Sequence, residues 1–195
     1  TYNNRLYIVG GFIRDAILNI KSKDIDIELY NISSYEKLQT LLDEFGKINT
    51  VGKSFGICKL TMDELEIDFS FPRQDNKISK GHKGFNIKTK PNIDFKTATS
   101  RRDFTINSIG YDVLKKSFLD PYGGIDDIKN KVLKPVNKKT FIEDPLRLLR
   151  GMQFCARFEL KASKELIDIC RYMIENHMLD ELSKERIYGE FKKLF

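Results

Sequence analysis

The chain has 195 residues, with 34 Lys and Arg against 28 Asp and Glu, and a formal net charge of +6. That is enough for one or two domains with their own core, with no need of a disulfide or zinc staple. A 41% hydrophobic and 32% charged composition excludes a disordered chain. No run approaches the roughly 18 apolar residues of a membrane span, and the first residues do not read as a charged leader before an apolar stretch. The three cysteines (Cys58, Cys155, Cys170) show no paired spacing, which predicts a reduced, cytoplasmic protein. With two histidines, His82 and His177, a multi-histidine metal site is excluded. A pI near 9.1 favours a polyanionic partner without specifying one.

In chain order, Tyr7-Ile8-Val9 reads as a strand, broken by Gly10-Gly11 and followed by a helix over 12–19. Asp24-Ile25-Asp26-Ile27-Glu28-Leu29 alternates strictly, so a strand would put Asp24, Asp26 and Glu28 on one face and the apolar residues on the other. A helix is predicted over 34–45, stopped by Gly46, and then a hairpin of strands over 56–62 and 65–71 turning at Asp63-Glu64. The polar, Lys-rich span 72–100 reads as one long loop. From Thr140 the texture is helical, with helices over 142–158, 163–176 and 183–195, Pro145 near the first turn of one and Ser183 as the N-cap of another. The expected division is an α/β domain over 1–137 and an all-helical domain over 138–195. The last apolar stripe has no stop signal, which predicts that the natural chain continues.

Four clusters can carry chemistry. Asp24 and Asp26, at i and i+2 on a strand, point the same way. In a cleft such a pair calls for Mg²⁺, which takes oxygen ligands and shares its remaining sites with water and phosphate, and two ions about 4 Å apart can align attacking and leaving oxygens. On an open edge the pair would be a solvated acidic face. Asp68, with Glu66, lies on the polar face of a second strand and is a candidate third carboxylate. Gly10-Gly11 before a helix lets backbone N–H groups approach a phosphate, with Arg14 to add charge, or is an ordinary strand-to-helix turn. Arg101-Arg102-Asp103, with Asn107, can grip a triphosphate and a ribose, or form a surface salt-bridge cluster. Asp144, Arg147 and Arg150 follow one side of a helix, where an acceptor and planar donors can match a base edge or simply pair along the helix.

The order of these motifs is more telling than any one of them. GG-x-x-R-D (Gly10 to Asp15), D-x-D (Asp24, Asp26), RRDFTIN (Arg101 to Asn107), D-x-x-x-G-x-x-D (Asp120, Gly124, Asp127) and E-D-x-x-R (Glu143, Asp144, Arg147) resemble the class II tRNA nucleotidyltransferase and poly(A) polymerase family, the bacterial CCA-adding enzymes and their relatives. Ser183 to Leu194, with Glu185-Arg186-Ile187, resembles the family's neck. The resemblance implies an α+β fold: a polymerase-β-like nucleotidyltransferase head, a mixed sheet with helices, followed by an all-helical neck, with the family's body and tail absent here.

By that resemblance Asp24 and Asp26 are the catalytic pair holding Mg²⁺; the family demands a third carboxylate less than these two, and Asp68 is the candidate for it. Gly10, Gly11 and Arg14 meet the triphosphate, Arg101, Arg102, Asp103 and Asn107 lie near ribose and phosphate, and Asp120, Gly124 and Asp127 form a hinge-like segment. Asp144, Arg147 and Arg150 read the incoming base. The implied reaction adds CMP and AMP from CTP and ATP to the tRNA 3′ end; CC-adding, A-adding, poly(A)-synthesising or non-catalytic RNA-binding relatives are the alternatives. Where relatives carry another arginine, in a run like R-F-A-A-R-F, this chain has Gln153. The segment from Arg73 to Phe85, which includes His82, falls at the family's flexible loop.

Overall fold

The structure is a computed structural model that describes residues 5–32, 34–49, 57–62, 65–77, 85–89 and 92–194. β1 (Arg5–Val9) runs into Gly10, whose φ of 74° is open to glycine and strained for other residues, and α1 (Gly11–Ile17) starts immediately after it. β2 (Asp24–Tyr30) returns antiparallel to β1. Ser34 caps α2 (Tyr35–Leu42) by accepting from the Lys37 N–H at 3.2 Å. β3 (Lys47–Asn49), β4 (Ile57–Met62) and β5 (Leu65–Ser70) follow, and β4 and β5 pair antiparallel as expected. The expected turn at Asp63-Glu64 and the start of the first strand at Gly56 lie outside the described residues.

The span 72–100 is not a single loop. It contains β6 (Arg73–Lys77) and β7 (Phe85–Thr89), an antiparallel pair, and then α3 (Phe95–Thr99). β6 reads RQDNK, with no apolar residue, so its pairing rests on backbone hydrogen bonds that leave no periodic signature. α3 is five residues long and is started by Asp94, which accepts from the Thr97 N–H at 2.9 Å.

β8 (Gly110–Asp112) and β9 (Ser117–Leu119) complete a seven-stranded sheet in the order β3-β4-β5-β2-β1-β8-β9. Within it the β2–β5 pairing is parallel and the others are antiparallel. One face is covered by α2, with Ile27, Leu29, Leu38, Leu42, Cys58 and Leu60 buried together. On the other, Tyr7, Val9 and Tyr30 pack with Ala98 of α3. Register puts Asp26 beside Val9, and Val9 beside Gly110, on that second face. A Cβ on Gly110 would come within 2.5 Å of the Phe95 ring.

Beyond the sheet come α4 (Gly124–Lys129), β10 (Val132–Leu133), α5 (Lys138–Phe141), α6 (Leu146–Phe158), β11 (Lys161–Ala162), α7 (Lys164–Glu175) and α8 (Lys184–Phe191). β10 pairs with β11. The helix expected from 142 begins only at Leu146, because a residue before proline resists helical geometry and Pro145 sits at the cap. It ends at Glu159, at φ 52°. Ser163 and Ser183 cap α7 and α8 through the Leu166 and Arg186 N–H groups at 3.2 and 3.4 Å. The largest core cluster joins Ile13, Phe104, Ile109 and Leu133 to Phe141, Phe154, Leu166 and Met173, so it draws on both sides of the 137/138 division. Among the described residues, no helix is long and apolar enough to cross a membrane.

Candidate active site

Parallel pairing of β2 with β5 sets Asp24 opposite Glu66 and Asp26 opposite Asp68, which brings four carboxylates to one sheet face. With Lys59 and Ile25 they line a cleft of about 410 Å³. Lys59 Nζ lies 3.0 Å from Glu66 and 3.2 Å from Asp68, so the two acids on β5 already have a counter-charge. Among the described residues, the carboxylates of Asp24 and Asp26 accept no hydrogen bond and form no ion pair. Asp26 is open to the cleft, yet its surroundings push its carboxyl above the usual range. Lost hydration is the main cause; the charges of Asp68, Asp24 and Glu28 add to it, and Arg102 opposes.

A hard divalent cation fits this donor set. The ligands offered are all carboxylate oxygens, and a positive charge would relieve the repulsion that adds to the effect of lost hydration on Asp26. Among the described residues, no three His, Cys, Asp or Glu side chains form a metal cage by themselves. Water and phosphate oxygens would therefore complete the shell, which is the way Mg²⁺ is usually held.

Gly10 joins this cleft to the RRD segment. A Cβ there would lie 2.9 Å from Arg102 Nη1 and 3.4 Å from Asp26 Oδ2. Arg102 is fixed from two sides, donating to Glu28 at 3.2 Å and to the Asn107 carbonyl at 3.1 Å. Glu28 is 2% exposed and also accepts from the Tyr30 hydroxyl at 2.9 Å, while Arg101 approaches it to 3.9 Å. Burial and that carboxylate together push the Tyr30 phenol well up.

Asp103, the next residue along, faces the helical half. Its Oδ2 accepts from Arg150 Nε at 2.8 Å and lies 2.7 Å from Nη2, a two-pronged grip, while its Oδ1 accepts from Asn107 and from the Phe104 N–H. Burial works to raise this carboxyl, but Arg150, the Asn107 hydrogen bond and Arg147 hold it below the usual range. Arg147 donates to the Thr140 and Arg101 carbonyls, both at 2.7 Å. Asp144 accepts from Arg186 at 3.1 Å and from the Leu146 N–H at 3.2 Å. The structure thus ties Arg147 and Arg150 of α6 to the RRD segment, whereas Asp144, just before that helix, is held by Arg186 of α8.

Arg14 takes a different position. It is 6% exposed, donates to Asp15 at 2.8 Å and Asn107 at 2.7 Å, and lies over the Phe158 ring at 4.6 Å. Its charge braces α1 against α6 from inside. Asp68 is shared with Lys59, as described, and Gln153 is buried. Asp120 accepts from the Gly124 and Ile125 N–H groups at 2.7 and 2.9 Å, and Asp127 from the Thr105 hydroxyl at 2.7 Å, so this motif stitches α4 to the RRD segment. His82 lies outside the described residues. Sequence reasoning did not single out Glu28, Lys59 or Arg186 as site residues. Glu28 was within reach of it, since i+4 from Asp24 on a strand is the same face. A larger hollow of about 650 Å³, between α6 and α7, is walled mostly by apolar side chains such as Leu148, Met152, Leu166 and Ile174 and has no carboxylate pair suited to a cation.

The model of the poly A polymerase head domain matches residues 6–134, which contain the cleft, Gly10-Gly11 and the RRD segment. The chain belongs to this family. A curated member, the multifunctional CCA protein of Chromobacterium violaceum, is 35% identical over 188 residues, covering 96% of this chain and 44% of that protein. The chain therefore spans less than half the length of that relative. Two solved structures share the fold. A CCA-adding enzyme in complex with CTP matches with a TM-score of 0.80 at 28% identity, over 98% of this chain and 42% of that one. A tRNA nucleotidyltransferase complexed with a primer tRNA and an incoming ATP analog also matches at 0.80, with 27% identity over 97% and 52%.

Proposed function

We propose that the protein is a template-independent RNA nucleotidyltransferase that adds CMP and AMP, from CTP and ATP, to the 3′ end of tRNA in the cytoplasm. The observation that carries this reading is the pair Asp24 and Asp26, whose carboxylates are unpartnered among the described residues in an acidic cleft, with Asp26 and Arg102 both close to Gly10. It is supported by the likeness to a CCA-adding enzyme bound to CTP and to a nucleotidyltransferase bound to a primer tRNA.

In this reading Asp24 and Asp26 hold Mg²⁺, which when bound supplies charge neutralisation and an acidified 3′-hydroxyl. Arg102 and Arg101 neutralise the triphosphate, whose pyrophosphate leaves as the 3′-hydroxyl attacks the α-phosphate. The N–H groups at the start of α1 add a positive end, and Asp103 and Asn107 orient the neighbouring groups. Asp144, Arg147 and Arg150 read the base edge, exchanging their present partners for those of the nucleotide. Asp120, Gly124 and Asp127 join a head over 1–137 to a neck over 138–195.

CC addition, A addition and poly(A) synthesis would use the same cleft. The full-length protein, given tRNA lacking its CCA end and supplied with CTP, ATP or both, should yield products ending in CCA only when both are present. Products ending in CC or in an oligo(A) tract would assign the narrower activity, and no extension at all would contradict the reading.

A further inference from the structure

We infer that Glu28 is a positioning residue that keeps Arg102 from closing onto Asp26 and so leaves the acidic cleft free to take a divalent cation; the inference rests on the nucleotidyltransferase reading above. Glu28 is the third acid on the β2 face that carries Asp24 and Asp26, but unlike them it is buried. Burying a carboxylate is costly unless charge and hydrogen bonds compensate. Here the compensation is Arg102 at 3.2 Å, Tyr30 at 2.9 Å and, more distantly, Arg101 at 3.9 Å.

Arg102 and Asp26 flank the same empty point above Gly10, 2.9 and 3.4 Å from it, yet no ion pair joins them among the described residues. Two anchors explain the gap. The Asn107 carbonyl holds Nη1 at 3.1 Å, and Glu28 holds Nη2 from a site where attraction is less screened by water than at the open Asp26. Remove the charge on Glu28, and Asp26, across the Gly10 point, is an unpaired carboxylate left beside the guanidinium among the described residues. An arginine paired there would compete with the cation for the same oxygens. Tyr30 fixes the Glu28 carboxylate without touching the cleft.

The test is Mn²⁺ binding to the full-length protein without nucleotide, followed by electron paramagnetic resonance, with thermal melts in parallel. Glu28→Gln should weaken Mn²⁺ binding about tenfold, the size of one partly screened charge contact. The double variant Glu28→Gln with Arg102→Gln, which removes the competing cation, should restore it. If Glu28→Gln does not fold, Glu28→Asp, which keeps the charge but withdraws it by one methylene, should weaken Mn²⁺ binding in the same direction. Unchanged binding in whichever Glu28 variant folds, or a double variant as weak as Glu28→Gln, would overturn the inference and leave Glu28 as sheet support. Because this readout needs no turnover, failure of the tRNA-extension assay would count against the functional reading alone.

Discussion

Asp103 is the residue at which the sheet and the helical half share one charge. Its carboxylate is held below the ordinary range by Arg150, Asn107 and Arg147, against the effect of burial. A carboxyl depressed on folding stabilises the protein above its unfolded pKa, and that contribution is lost as pH falls through the folded value. Wild-type stability should therefore decline on acidification below about pH 4, the unfolded aspartate range. Asp103→Asn should be less stable than wild type at pH 7, and the difference should narrow toward pH 3; parallel denaturation curves at both pH values would contradict this. At this scale the sequence was most informative where side-chain direction follows from spacing, as with Asp24 and Asp26. It was silent where the partner is remote. Glu28 is buried by an arginine 74 residues away, and Arg14 is drawn inward by Asn107, 93 residues away. No local pattern encodes either.

Among the elements, α4 comes up against the backbone that follows the RRD segment. A Cβ on Gly124 would lie 2.2 Å from the Thr105 carbonyl oxygen, so the two backbones meet where only glycine fits. Gly124→Ala should cost more than about 2 kcal/mol, read from denaturant midpoints, because no flexible side chain can yield there. A variant as stable as wild type would show that α4 can move as a body. The helices with apolar periodicity and serine caps, α2, α7 and α8, were legible to within a few residues. The hairpin β6–β7 and the short α3 were not: RQDNK carries no alternation, and a five-residue helix shows too little of its period. The late start of α6 follows from Pro145, whose effect on its predecessor is local and was available from sequence.

For the molecule as a whole, Phe104 is the packing centre. It is fully buried, with Phe141 and Phe154 edge-on at 5.5 and 5.4 Å, and it follows directly on the RRD segment. Phe104→Ala should destabilise by about 3–5 kcal/mol, and because the cavity opens in a core shared by both halves, the sheet and the helices should lose structure together. Separate transitions for the two would contradict a shared core. The helices after residue 140 were legible from the change in periodicity, and the α+β class from the family resemblance; that one core spans both halves depends on contacts no periodicity reports. The account's central claim concerns the acidic pair, and the most direct measurement is the tRNA 3′-extension rate of Asp24→Ala and Asp26→Ala in the full-length protein. Each should fall by about a hundred- to a thousandfold, the scale of losing a main electrostatic contact in a transition state, with melting unchanged. A variant that folds normally and retains most of its rate would contradict the claim.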